Sequence, residues 1–118
     1  MIYFKESEFY CQCGCGLCFD DMDEDVVINF DRARGYAGVP FVMTSTIRCQ
    51  RHNIIAGGKK TSSHLVGFAG DIECLSSYAR YRILYGLKKA GFNRIGIGTN
   101  FIHADQDPDK PKELMWVY

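Results

Sequence analysis

In the stretch Ser62-Ser63-His64-Leu65-Val66-Gly67-Phe68-Ala69-Gly70-Asp71, a histidine and an aspartate stand seven positions apart around two glycines, and a further histidine, His103, comes later in the chain. Neutral imidazole nitrogen and carboxylate oxygen are suitable ligands for Zn²⁺ at ~2.0–2.2 Å, and three protein ligands leave the fourth tetrahedral position open to water. An open position is what separates a catalytic from a structural zinc. On spacing alone, His64 and Asp71 read more readily as a turn that happens to contain both than as two arms of one metal site. The chain has three histidines; His52, beside Asn53, reads as a residue that packs or caps locally.

Two other groups of residues carry chemical potential. Asp105 follows His103 by two positions, so on a strand both side chains share a face. It is a candidate general base, and equally a carboxylate that orients an imidazole, as metal-bound histidines commonly require. Asp107 and Glu113 fall in or near a proline-containing tail and read as solvated charges. Four of the six cysteines crowd into Cys11-Gln12-Cys13-Gly14-Cys15-Gly16-Leu17-Cys18, the others being Cys49 and Cys74. Of the four, only Cys15 and Cys18 have the two-residue spacing usual in a zinc knuckle. Disulfides to Cys49 or Cys74 compete with metal, and six cysteines allow fifteen full pairings. A structural role, by bridges or metal, is therefore expected, with the partners left open.

Positioning these residues requires a framework. A first helix is predicted from about Asp23 to Tyr36, with acidic residues at its start, an apolar stripe of Val26, Val27, Phe30 and Ala33, and Gly38-Val39-Pro40 as its stop. Phe41 to Thr46 reads as a buried strand. Asn53 to Ala56 reads as a helical turn ended by Gly57-Gly58, with Asn53 supporting the following loop through its backbone. These glycines, with Gly67 and Gly70, are backbone devices, since no phosphate-binding context accompanies them. A strand over Phe68 to Cys74 leads to a second helix, capped by Ser76 or Ser77, carrying Lys88 and Lys89 in its last turn, and ending at Gly91. Helical spacing predicts that it buries Tyr78, Tyr81, Leu84 and Leu87. Arg94 to Ile97 and Phe101 to Asp105 flank a turn at Gly98-Thr99-Asn100. The expected fold is α+β, a small, mostly antiparallel sheet with two main helices. In it Asp71 and His103 occupy separate strands that bring them to His64 if those strands are neighbours. Trp116, Tyr78, Tyr81 and Phe92 read as core aromatics, Trp116 lying late enough to line a cleft.

The chain, 118 residues long and nearly half apolar, suits a single domain over residues 1–118. Fourteen basic residues balance fourteen acidic ones without a single-sign block, which argues against nucleic acid as a partner. No stretch approaches the ~20 apolar residues of a membrane span, and the N-terminus lacks signal-peptide character. A chain made in the cytoplasm without its own export signal, and monomeric, is the expectation.

The segment TSTIRCQRHNIIAGGKKTSSHLVGFAGD, Thr44 to Asp71, resembles the zinc D-alanyl-D-alanine carboxypeptidases and related peptidoglycan peptidases, a family that includes phage endolysins and is structurally related to the Hedgehog signalling domain. The pattern comprises an Arg after a strand, an Asn, a Gly-Gly pair and Ser-x-His-x-x-Gly-x-Ala-x-Asp. Here these are Arg48, Asn53, Gly57-Gly58, Ser62, His64, Gly67, Ala69 and Asp71. Phe101-Ile102-His103-Ala104-Asp105 resembles the second metal-binding strand, Met115 to Tyr118 the C-terminal end, and the Cys-x-Cys-Gly-Cys-Gly opening that of small phage members. The resemblance implies one catalytic zinc held by His64, Asp71 and His103, a substrate carboxylate read by Arg48, and hydrolysis of an amide bond in peptidoglycan stem peptides at the cell wall. A planar guanidinium fork suits carboxylate recognition. Ser62 is a candidate substrate contact or a cap for the loop before His64. In one respect the sequence departs from the pattern: Asn100 stands three positions before His103, where many relatives have an acid. The alternative implied is a zinc-stabilised wall-binding or phage structural module without catalysis.

Overall fold

The computed structural model describes residues 1–118. The chain is α+β, with three helices and one five-stranded sheet. Helix α1 spans Glu24–Ala37, α2 Gln50–Ile55 and α3 Ser77–Lys89; the strands are β1 Met43–Ser45, β2 Ala69–Glu73, β3 Arg94–Ile97, β4 Phe101–Asp105 and β5 Leu114–Val117. Short 3₁₀ turns occupy Glu6–Glu8, Phe19–Asp21 and Ser63–Val66.

Local chemistry sets the helix ends. The Asp23 carboxylate accepts the Val26 N–H at 3.0 Å, satisfying one of the unpaired donors at the start of α1. Gly38, at φ 68°, closes that helix in the left-handed conformation. Ser76 Oγ caps α3 through Ala79 N–H at 3.1 Å.

The two long helices pack against each other through small residues. A Cβ on Gly86 of α3 would meet the Ala33 carbonyl oxygen and the Ala37 methyl of α1, so glycine permits this close approach. The buried face of α3 is Ile83, Gly86 and Leu87. The expectation that Tyr78 and Tyr81 are buried is corrected here: both are 69% exposed. A face chosen by large apolar side chains is rotated from one chosen by close backbone approach.

Strand order is β1-β2-β4-β3-β5, antiparallel except for the parallel β3–β5 pair. The parallel strand β5 was not foreseen within the C-terminal tail. Side chains alternate across the sheet. Ile72, Ile95, Ile102 and Ala104 enter the core with Phe30, Phe92 and Leu87, where the Phe30 and Phe92 rings lie 4.6 Å apart. Asp71 on β2 and Phe101, His103 and Asp105 on β4 are the alternate residues, and they face away from that core. No helix is long and apolar enough to cross a membrane.

Candidate metal centre

Register brings the first two site residues together. Asp71 of β2 stands directly opposite His103 of β4, and Ala69 opposite Asp105. Directly opposed residues of an antiparallel pair have Cβ atoms ~4.5–5.5 Å apart, close enough for their side chains to share a ligand.

His64 arrives from the loop before β2. Ser62 Oγ accepts the His64 N–H at 3.3 Å, starting the turn Ser63–Val66; of the two roles expected for Ser62, the cap is the one seen in the hydrogen bonds, although Ser62 also borders the cleft. The turn ends at Gly67, φ 76°, whose carbonyl accepts from Asp23 N–H at 2.9 Å and whose missing Cβ leaves room for the Asp21 carbonyl. Turn and ligand pair are thus one construction.

Hydrogen bonds assign the imidazole nitrogens. His64 Nδ1 is 2.6 Å from the Thr46 carbonyl oxygen. A carbonyl only accepts, so Nδ1 carries the proton and Nε2 keeps its lone pair. That Nε2 lies 3.3 Å from Asp71 Oδ1. His103 presents Nδ1 to the same Asp71 oxygen at 2.9 Å and Nε2 to Asp105 Oδ2 at 2.8 Å. One nitrogen from each ring and one carboxylate oxygen therefore converge, all within 4.8 Å of one another. Ligands of a tetrahedral zinc at ~2.0–2.2 Å stand roughly 3.3–3.6 Å apart, so the donor set fits that ion.

The electrostatics agree with a cation site. Burial raises the Asp71 pKa, but the His103 and His64 side chains beside it outweigh burial and hold the carboxyl far below the usual range. Burial also disfavours charge on His103, yet Asp105 and Asp71 overcome this and raise its pKa. Carboxylates crowd both of its nitrogens, an arrangement that favours positive charge at this point whether proton or metal supplies it.

Asp105 is only 1% exposed and both its oxygens are occupied. Oδ2 faces His103, while Oδ1 accepts from Arg94 Nε at 2.7 Å and Asp107 N–H at 3.2 Å. Burial raises its pKa, but these donors, His103 foremost, bring it below the ordinary value.

Around these residues opens a cleft of about 670 Å³ bordered by Arg48, Lys59, Lys110, Phe101, Trp116 and Tyr118 among others. Arg48 donates from Nε to Ser45 Oγ at 2.9 Å, from Nη1 to Asn53 Oδ1 at 3.2 Å and from Nη2 to Asp71 Oδ2 at 3.4 Å. Three of its five N–H donors are used and two remain. Asn53 in turn donates to the Lys59 carbonyl at 2.8 Å, fixing the Gly57-Gly58 loop. Asn100 does not border the cleft, and its backbone carbonyl accepts from Cys74 N–H.

Trp116, expected in the core or lining a cleft, borders the cleft, whereas the part played by Arg94 was missed in the sequence. Trp116 lies 5.7 Å from the His103 ring, above Gly96, where a Cβ would strike the indole. Gly96 stands opposite Trp116 in the β3–β5 register. Arg94, stacked 5.2 Å from Trp116, anchors Asp105 and the Pro111 carbonyl. Asp107, expected to be solvated, is 5% exposed and accepts from Ser63 Oγ at 2.8 Å; the tail folds back onto the turn beside His64 and removes it from water.

Fold and site together define a small α+β domain in which two imidazoles and a carboxylate, a donor set suited to a metal ion, converge beside a cleft. A family model described as Peptidase M15 matches residues 2–105, and the chain belongs to that family. The family assigns it, at that level, to metallopeptidases acting on peptidoglycan. Comparison with curated proteins gives no significant match.

Proposed function

We propose that this protein is a zinc peptidase that hydrolyses an amide bond in peptidoglycan stem peptides, next to a D-amino acid. The observation that carries the reading is the convergence of His64 Nε2, Asp71 Oδ1 and His103 Nδ1 at the floor of a cleft rimmed by cations. Zinc held there by His64, Asp71 and His103 supplies a Lewis acid and lowers the pKa of water toward ~7. Thr46 and Asp105 fix the two rings so that the correct nitrogens face the ion. Arg48 offers its two remaining donors to a substrate carboxylate, while Trp116 and Phe101 wall the cleft. Asp105 serves as the positioning residue of His103 in this proposal.

A second reading has its own support. The acidic side chains bordering the cleft are Asp71 and Asp105, both engaged, and Asn100, three positions before His103 where many relatives have an acid, lies outside it. A zinc-stabilised wall-binding module fits that arrangement. Mass spectrometry of muropeptides after incubation with the zinc-loaded protein separates the two. New amine and carboxylate ends, absent with His64→Ala, establish the peptidase. Pull-down of cell wall with unaltered muropeptides establishes the binder.

A further inference from the structure

A second convergence of ligand atoms lies apart from the His-Asp-His centre. The Sγ atoms of Cys11, Cys13, Cys15 and Cys49 all fall within 4.8 Å of one another. Cys11 and Cys13 sulfurs are 3.4 Å apart, Cys13 and Cys49 3.6 Å. We propose that these four cysteines hold a structural zinc ion that fastens the N-terminal segment to the start of α2.

Geometry favours a metal over bridges. A disulfide brings two sulfurs to ~2.05 Å and leaves the others without a reason to approach. Four thiolates around zinc at ~2.3 Å stand about 3.8 Å apart in a tetrahedron, near the spacing seen. The backbone is shaped for it: Cys11 N–H bonds the Leu17 carbonyl at 3.0 Å, Tyr10 pairs with Cys18, and the loop between turns through Gly14 and Gly16 at φ 77° and 103°. That loop directs three thiols toward Cys49. Backbone N–H groups also point at sulfur, from Cys49 to Cys11 Sγ at 3.5 Å and from His52 to Cys49 Sγ at 3.3 Å, bonds that stabilise thiolate ligands. The Cys15–Cys18 spacing pointed to a pair, but Cys18 lies outside the cluster and its place is taken by Cys49.

The consequence reaches the cleft. Cys49 is the N-cap of α2 and directly follows Arg48, so an ion at the four thiols anchors the segment that carries Arg48 and Asn53. Four thiol protons leave as the ion binds. The inference is independent of the reaction proposed above.

The test uses the wild-type chain and the His64→Ala/His103→Ala variant, both purified under reducing conditions and loaded with zinc. Metal analysis is expected to give two ions per wild-type chain and one in the variant. Replacing zinc by cobalt in that variant is expected to give the intense thiolate-to-cobalt absorption of a tetrahedral sulfur site. In the wild type, iodoacetamide is expected to alkylate Cys18 at once, and Cys13 and Cys15, which are also exposed, only after a chelator is added. This last readout holds even if the double variant does not fold. One ion per wild-type chain with immediate alkylation of Cys13 and Cys15 overturns the proposal. So does mapping of disulfides among these four cysteines in protein never exposed to oxidant.

Discussion

His103 Nε2 lies 2.8 Å from Asp105 Oδ2, two residues further along the same strand, while its Nδ1 faces Asp71 Oδ1 at 2.9 Å. One imidazole is thus held between a carboxylate that would share a metal with it and one that would orient it. Arg94 and Asp107 N–H keep the orienting carboxylate ionised and fixed.

Asp105→Asn is the substitution that reads this arrangement. The amide is nearly isosteric but cannot offer two charged acceptors, so the His103 tautomer is no longer enforced. Zinc affinity, measured by chelator competition, is expected to fall about 10–100-fold. A variant that binds zinc as the wild type does, yet does not turn over substrate, would instead make Asp105 the general base.

Arg48 tests substrate recognition. Arg48→Lys keeps the charge but loses the planar fork and the bonds to Ser45 and Asn53. Charge-assisted hydrogen bonds contribute about 1.5–3 kcal/mol, so kcat/KM on a peptide with a free carboxylate is expected to drop roughly 10–100-fold, mainly through KM, with zinc content unchanged. An equal loss on a substrate lacking that carboxylate would show that Arg48 does not read it.

Much of the framework was written in local sequence. Asp23, Gly38 and Ser76 mark helix ends because caps act over three or four residues, and the strands Arg94–Ile97 and Phe101–Asp105 were foreseen with the hairpin between them. His64, Asp71 and His103 were legible as a set through family resemblance, while spacing alone left the first two as ligands or turn. What escaped is long-range. The parallel pairing of Leu114–Val117 with β3 leaves no local alternation. The α3 face depends on Gly86 meeting α1, and the thiol cluster on Cys49 meeting a loop far away in the chain.

Gly67 and Gly57 have nearly the same backbone, φ 76° and 77°, but different surroundings. Left-handed backbone costs a non-glycine residue about 1–2 kcal/mol. Gly57→Ala has open space and is expected to show only that cost in urea unfolding. Gly67→Ala also drives a methyl into the Asp21 carbonyl oxygen, so it is expected to unfold at distinctly lower urea and, by shifting His64, to bind zinc more weakly. Equal midpoints for the two variants would mean the turn has slack to absorb the methyl.

Asp31 gives the pH dependence. Its carboxylate, 7% exposed in the middle of α1, accepts the N–H groups of Ile2, Tyr3 and Phe4 at 2.9, 2.8 and 3.0 Å. Burial raises its pKa, but these three donors and the N-terminal charge outweigh burial and lower it. The folded state therefore binds its proton less readily than the unfolded chain, whose aspartate titrates near ~3.9. The stabilisation is complete above that value and fades as pH falls through the lower, folded pKa. Asp31→Asn is expected to cost about 1–3 kcal/mol at neutral pH, with the gap to wild type closing below about pH 4. Urea titrations of both proteins at a series of pH values check this. A gap that stays constant down to acid pH would assign the loss to packing at Asp31 rather than to its charge.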